Sequence, residues 1–138
     1  MFMEEKRRIT IIDSDPGIIE FLQDLFQSEG YTTQTANIRE IKTGEVNFES
    51  FIREFDPNVV LYDVGFPFKQ NWDYFKSLRE NEIMKDRRTV ITTTNKRALD
   101  ELVGEDTHAM EIIGKPFDIE NMINAVEGKP QIHGEKEY

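Results

Sequence analysis

Cysteine is absent from this 138-residue chain, so neither a disulfide framework nor a thiolate metal site can stabilise it. No apolar run approaches the roughly 20 residues a helix needs to cross a bilayer. The opening Met1-Phe2-Met3-Glu4-Glu5-Lys6-Arg7-Arg8 lacks the apolar core of a secretory signal. Histidine occurs only as His108 and His133, which have no partners at metal-ligand spacing and read as plain surface residues. A glycine-rich phosphate loop, a Ser/His/Asp arrangement, an internal repeat and a low-complexity tract are all missing. Positive charge is scarce as well: 17 Lys and Arg stand against 27 Asp and Glu, a formal charge of −10 that repels nucleic-acid phosphates and anionic membranes. The short basic stretches Lys6-Arg7-Arg8 and Lys85-Asp86-Arg87-Arg88 read as solvated loop charge, so neither nucleic acid nor a membrane is an expected partner. With 38% hydrophobic and 32% charged residues, the composition is that of one globular domain with its own core, expected to be cytoplasmic.

Two hydrophobic periodicities alternate along the chain. Short apolar, β-branched runs read as strands at Ile9-Thr10-Ile11-Ile12, Tyr31-Thr32-Thr33-Gln34-Thr35, Val59-Val60-Leu61-Tyr62, Thr89-Val90-Ile91-Thr92-Thr93 and Met110-Glu111-Ile112-Ile113. Between them lie helical stripes: Ile18, Phe21, Leu22 and Leu25; Phe48, Phe51, Ile52 and Phe55; Trp72, Phe75 and Leu78; Leu99, Leu102 and Val103; Ile119, Met122, Ile123 and Val126. Trp72 and the phenylalanines at this spacing are expected in the core rather than around a cofactor. Asp15-Pro16 offers an N-cap followed by proline at the first helical position, and Gly30 and Gly128 fall where C-terminal caps belong. Three of the strands are nearly continuous in apolar residues, as in a parallel sheet covered on both faces. Five strand-then-helix units imply a doubly wound α/β domain over residues 8–128, with 1–7 an extension and 129–138 a polar tail or truncated linker.

In such a sheet, ligands bind beyond the carboxyl ends of the strands, where strand order reverses. The residues there are Asp13-Ser14-Asp15 after the first strand, Asp63 after the third, Thr94-Asn95 after the fourth and Gly114-Lys115-Pro116 after the fifth. Carboxylates without His or Cys suit a hard cation such as Mg²⁺. A lysine and a threonine beside them suit a phosphoryl group, so the set points to phosphoryl transfer onto a carboxylate.

The blocks Ile11-Ile12-Asp13-Ser14-Asp15-Pro16, Val60-Leu61-Tyr62-Asp63-Val64-Gly65-Phe66-Pro67, Val90-Ile91-Thr92-Thr93-Thr94-Asn95 and Gly114-Lys115-Pro116-Phe117 resemble, in order, the four signature blocks of bacterial response-regulator receiver domains. The resemblance covers roughly residues 8 to 127 and implies a flavodoxin-like (β/α)5 fold with strand order 2-1-3-4-5. It implies that Asp63 accepts a phosphoryl group as an acyl phosphate, that Asp13 holds Mg²⁺ through water, and that the Gly65 carbonyl is a further metal ligand. Thr94 would hydrogen-bond the phosphoryl group and Lys115 would pair with it, and the Lys115-Pro116 peptide would be cis. The implied partner is a sensor histidine kinase or phosphotransfer protein, with a homodimer as a further option. The domain would carry out its own phosphorylation and dephosphorylation and no other enzymatic reaction.

Three positions and one loop depart from that pattern. Ser14 stands where the family supplies a second acid to the metal, and a neutral hydroxyl is a poor ligand for Mg²⁺, so metal binding is expected to be weak. Asp15 is placed as a helix cap rather than as a substitute ligand. Ile112 stands where the family often has an aromatic ring that rotates inward on phosphorylation, which leaves the signalling face of the fourth and fifth units without that element. Asn95 replaces a smaller residue, and Ala36 to Asn47 reads as a loop longer than typical. The competing reading is a degenerate receiver serving as an interaction or dimerisation module. A flavodoxin-like cofactor binder is disfavoured because acids follow the first strand and repel a flavin phosphate.

Overall fold

The computed structural model describes residues 7–104 and 110–130. His108, His133 and most of both terminal segments lie outside them. Five strands form one sheet, β1 (Arg8–Asp13), β2 (Thr32–Asn37), β3 (Val59–Asp63), β4 (Arg88–Thr93) and β5 (Met110–Gly114), all parallel and ordered β2-β1-β3-β4-β5. Helices α1 (Pro16–Ser28), α2 (Ile38–Lys42), α3 (Phe48–Phe55), α4 (Phe68–Arg79), α5 (Lys96–Val103) and α6 (Ile119–Glu127) connect and cover them. The doubly wound order expected from the sequence is the one observed, with strand ends within two residues of the apolar runs.

Strand alternation divides the core in two. Ile12, Val60, Tyr62, Ile91 and Ile112 point to one face and pack with Ile41, Ile52, Trp72, Phe75, Leu99 and Val103 from α2, α3, α4 and α5. Ile9, Ile11, Val59, Leu61, Val90 and Ile113 point to the other, against Leu22 and Phe26 of α1 and Met122, Ala125 and Val126 of α6. Within the first cluster Phe75 lies between Tyr62 (ring centroids 4.8 Å) and Trp72 (5.7 Å). The stripes overreach at three places: Phe21, Leu102 and Ile119 are exposed, because a stripe four residues per two turns wide covers more of the helix than the sheet beneath it.

The caps form as the sequence suggests. Asp15 Oδ1 accepts from the Gly17 and Ile18 amides, and Gly128 ends α6 at a positive φ of 76°. The segment from Ala36 to Asn47 is not the plain loop expected. Asn37 and Glu40 form a reciprocal capping box, and Ile41 is buried, so the segment folds into the short helix α2. The local signal was present in Asn37-Ile38-Arg39-Glu40, but one buried side chain in five residues produces no periodicity to read.

The basic stretches also differ from solvated loop charge. Arg8 and Arg87 both pair with Asp56 (3.3 and 2.7 Å), Arg88 pairs with Glu111 (3.6 Å) and Arg7 with Glu127 (3.5 Å), all at the amino-terminal edge of the sheet. The Arg87 hydrogen bond in particular holds the Asp56 carboxyl below its ordinary range.

Candidate functional site

The residues Asp13, Asp63 and Thr92 continue the columns Ile9-Ile11, Val59-Leu61 and Val90, and so fall on the same face of the sheet at its carboxyl edge. Lys115 continues the column of Ile113 one step past β5. Register pairs Asp63 with Thr92 directly. All three residues of the pattern Asp13, Asp63 and Lys115 therefore meet. Lys115 Nζ lies 3.0 Å from Asp13 Oδ2 and 3.0 Å from Asp63 Oδ1.

Each carboxylate is held by donors. Asp13 Oδ1 accepts from the Ser14 and Asp15 amides at 2.7 and 3.0 Å, while its Oδ2 is taken by Lys115. Asp63 Oδ1 accepts from the Thr92 hydroxyl at 2.9 Å and from Lys115. Its other oxygen, Oδ2, carries no hydrogen bond among the described residues and lies next to the Gly65 backbone. Burial, then the neighbouring Asp13 charge, raises the Asp63 carboxyl above its ordinary value, against the pull of Lys115 and Thr92. For Lys115 burial works to lower the pKa, but the Asp63 and Asp13 carboxylates outweigh it and the net direction is up.

Asp63 lines a cleft of about 150 Å³ together with Ser14, Ile38, Lys42, Gly65, Phe66 and Asn71, so a buried carboxylate still has room for a ligand beside it. The Gly65 carbonyl faces the Asn71 side-chain amide, which donates to it at 2.9 Å. Asn71 Oδ1 in turn accepts from Lys42 Nζ at 2.8 Å. Ser14 is exposed, and its carbonyl accepts from Asn37 of the α2 cap. Thr94 is exposed in the turn after β4. The hydroxyl that reaches Asp63 belongs to Thr92, two residues earlier on the same side. Asn95 caps α5 by accepting from the Ala98 amide. Ile112 is buried in the core beneath α5. The Lys115-Pro116 peptide is cis, and so is Phe66-Pro67.

Mg²⁺ takes about six oxygens at near-octahedral positions. Here both Asp13 oxygens, one Asp63 oxygen and the Gly65 carbonyl already accept hydrogen bonds, and Ser14 adds no charge. No group of three metal-ligating acids or histidines is gathered among the described residues. Asp13, Asp63 and the Gly65 carbonyl would hold the ion with water completing its shell, and Ser14 leaves that set without a further carboxylate.

Thr92, Asn71 and Lys42 were not singled out by the sequence. Thr92 belongs to a run of three threonines in which only the β3–β4 register selects the residue facing Asp63. Asn71 and Lys42 sit on helices with nothing local to mark them.

Comparison with known proteins agrees with the geometry. The sequence profile of the family described as the response regulator receiver domain matches residues 9–127. The DNA-binding dual master transcriptional regulator RpaA of Synechocystis is 26% identical over 119 residues, covering 86% of this chain and 47% of that protein. The DNA-binding response regulator MtrA of Mycolicibacterium smegmatis is 25% identical over 124 residues, covering 90% of this chain and 50% of that protein. The chain thus spans about half the length of these relatives. The structure of Vibrio cholerae chemotaxis protein CheY4 superposes with a TM-score of 0.70 at 19% identity, covering 91% of this chain and all of the other. A five-stranded sheet with this order, the four strand-end blocks and the profile match converge on one conclusion: the chain belongs to the response regulator receiver domain family.

Proposed function

We propose that this domain accepts a phosphoryl group on Asp63, delivered by a phosphorylated histidine of a sensor kinase or phosphotransfer protein, and that the phosphorylated form binds a partner differently. The observation that carries the reading is the cleft itself. Asp63 lines the cleft, its Oδ1 is held by Lys115 and Thr92, and its Oδ2 accepts no hydrogen bond among the described residues.

In that reading Oδ2 attacks phosphorus, the O–P bond forms as the donor's N–P bond breaks, and the electron pair leaves with the imidazole nitrogen, which takes a proton from solvent. Lys115 offsets negative charge arriving at the carboxylate. Thr94, exposed in the turn just past β4, is assigned to the phosphoryl oxygens. A raised Asp63 pKa means that labelling falls off at a higher pH than for an ordinary carboxylate, because only the ionised form is a nucleophile. The charge of −10 argues against direct DNA contact by this chain.

Exposure to a small-molecule phosphodonor followed by intact-mass analysis tests the proposal: one phosphoryl adduct is expected, and it is absent in Asp63→Ala. A second reading, an interaction or dimerisation module that is never phosphorylated, draws on Ser14 and on the buried Ile112. The same experiment separates the two, since a missing adduct leaves only the second, while an adduct that survives in Asp63→Ala removes Asp63 as the acceptor.

A further inference from the structure

The cleft beside Asp63 carries a positive charge that the four strand-end blocks do not account for. Lys42 is the last residue of α2, and α2 is tied down at both ends: the Asn37–Glu40 capping box closes its start, and Ile41 is buried in the core next to Lys42. The ammonium group is then held by two partners on α4, Asn71 Oδ1 at 2.8 Å and the face of the Tyr74 ring at 5.2 Å. Lys42 is exposed, and these two contacts restrain a long flexible chain that would otherwise keep its side-chain entropy. Asn71 faces both ways, accepting from Lys42 and donating to the Gly65 carbonyl. Lys42, Asn71, Gly65 and Ser14 all line a cleft together with Asp63, whereas Lys115 sits on the Oδ1 side of the carboxylate.

The position where a second acid is missing and the position where a carbonyl is covered by an amide therefore lie together, with an ammonium group fixed beside them. We propose that Lys42, positioned by Asn71, is the built-in cation of this cleft and receives the oxygens of a phosphoryl group at Asp63 without Mg²⁺. This rests on Asp63 being the acceptor. Lys115 already pairs with both Asp13 and Asp63, and Lys42 is the ammonium group that lines the cleft on the other side of Asp63. With acetyl phosphate as donor, Asp63 Oδ2 forms the new O–P bond, the bond from phosphorus to the acetyl oxygen breaks, and acetate departs with the electron pair.

The test uses the full chain with acetyl phosphate in EDTA and, separately, in Mg²⁺, followed by intact mass over time. Wild type is expected to be labelled in EDTA at a rate comparable to that in Mg²⁺. Lys42→Gln, which keeps a hydrogen-bond donor and loses the charge, should slow labelling in EDTA by about tenfold or more, and Lys42→Arg should retain it. Labelling of wild type only in Mg²⁺, or equal rates for wild type and Lys42→Gln in EDTA, overturns the role of Lys42 while leaving Asp63 as acceptor. No adduct under either condition overturns both. A readout independent of labelling is Mg²⁺ titration followed by the backbone amide NMR signals of Ser14 and Gly65. Restoring the acid and removing the ammonium together, in Ser14→Asp/Lys42→Gln, should tighten Mg²⁺ binding by at least about tenfold over wild type, on the scale of one close charge pair. Unchanged affinity in the double variant overturns the proposal.

Discussion

Burial and the Asp13 charge act against the ionised form of Asp63, and Lys115 with Thr92 act for it. Because the first pair prevails, the folded pKa lies above the ordinary value of 3.8. The native state then binds more protons than the unfolded chain, so the stability tied to this group is fully present below 3.8 and is lost as pH rises through the folded value. Asp63→Asn removes that loss. Denaturant unfolding should show the variant more stable than wild type at neutral pH, with the gain shrinking toward acid pH; an equal gain at all pH values would assign it to packing instead. Lys115 has the same sign at a higher pH: its raised pKa contributes stability that is present below its ordinary value and is lost only at alkaline pH. An ionised Asp63 thus costs the fold some of its stability at neutral pH. At this scale Asp13, Asp63 and Lys115 were legible in the sequence because each directly follows an apolar strand. Thr92 was not, since three adjacent threonines look alike until a register chooses between them.

Helix α2 shows what an element of five residues needs in order to exist. So short a segment cannot hold its own backbone order, because nucleation is unfavourable. Its stability comes from the Asn37–Glu40 capping box, from Ile41 in the core and from the Asn37 contact to the Ser14 carbonyl. Asn37→Ala should cost about 1 kcal/mol of unfolding free energy, the usual size of a lost N-cap. If α2 also carries Lys42 to the cleft, the same variant should slow labelling in EDTA, whereas a purely structural cap would leave the labelling rate alone. Denaturation and intact mass measured on one sample distinguish these outcomes. The sequence read this stretch as loop because a single buried residue gives no stripe; the longer helices, with three or four apolar positions each, were read correctly apart from their exposed flanks at Phe21, Leu102 and Ile119.

Across the molecule, the sheet separates an edge where Asp13, Asp63 and Lys115 meet from a clasp. At the carboxyl edge acids and ammonium groups converge on a cleft; at the amino edge Asp56 gathers Arg8 and Arg87. The core between them is closely packed, and Phe75 touches both Trp72 and the Tyr62 ring, whose residue also lines the Asp63 cleft. Phe75→Ala should destabilise the domain by about 3–5 kcal/mol, a large part of the total for a domain of this size, seen as a lower denaturant midpoint. Trp72 is the single tryptophan and is 2% exposed, so its fluorescence reports that unfolding directly.

Hydrophobic periodicity alone determined that five strands alternate with helices, that the sheet is parallel and covered on both faces, and that Asp13, Asp63 and Lys115 end up at its carboxyl edge. Those properties follow from local alternation and from the handedness of crossover connections, and both are written in the order of residues. Tertiary structure decided what no local pattern encodes: the strand register that gives Asp63 to Thr92, and the meeting of Lys42 with Asn71, which are 29 positions apart. Such contacts depend on how separate elements pack, and a side chain on the surface of one helix carries no mark of what another will place beside it.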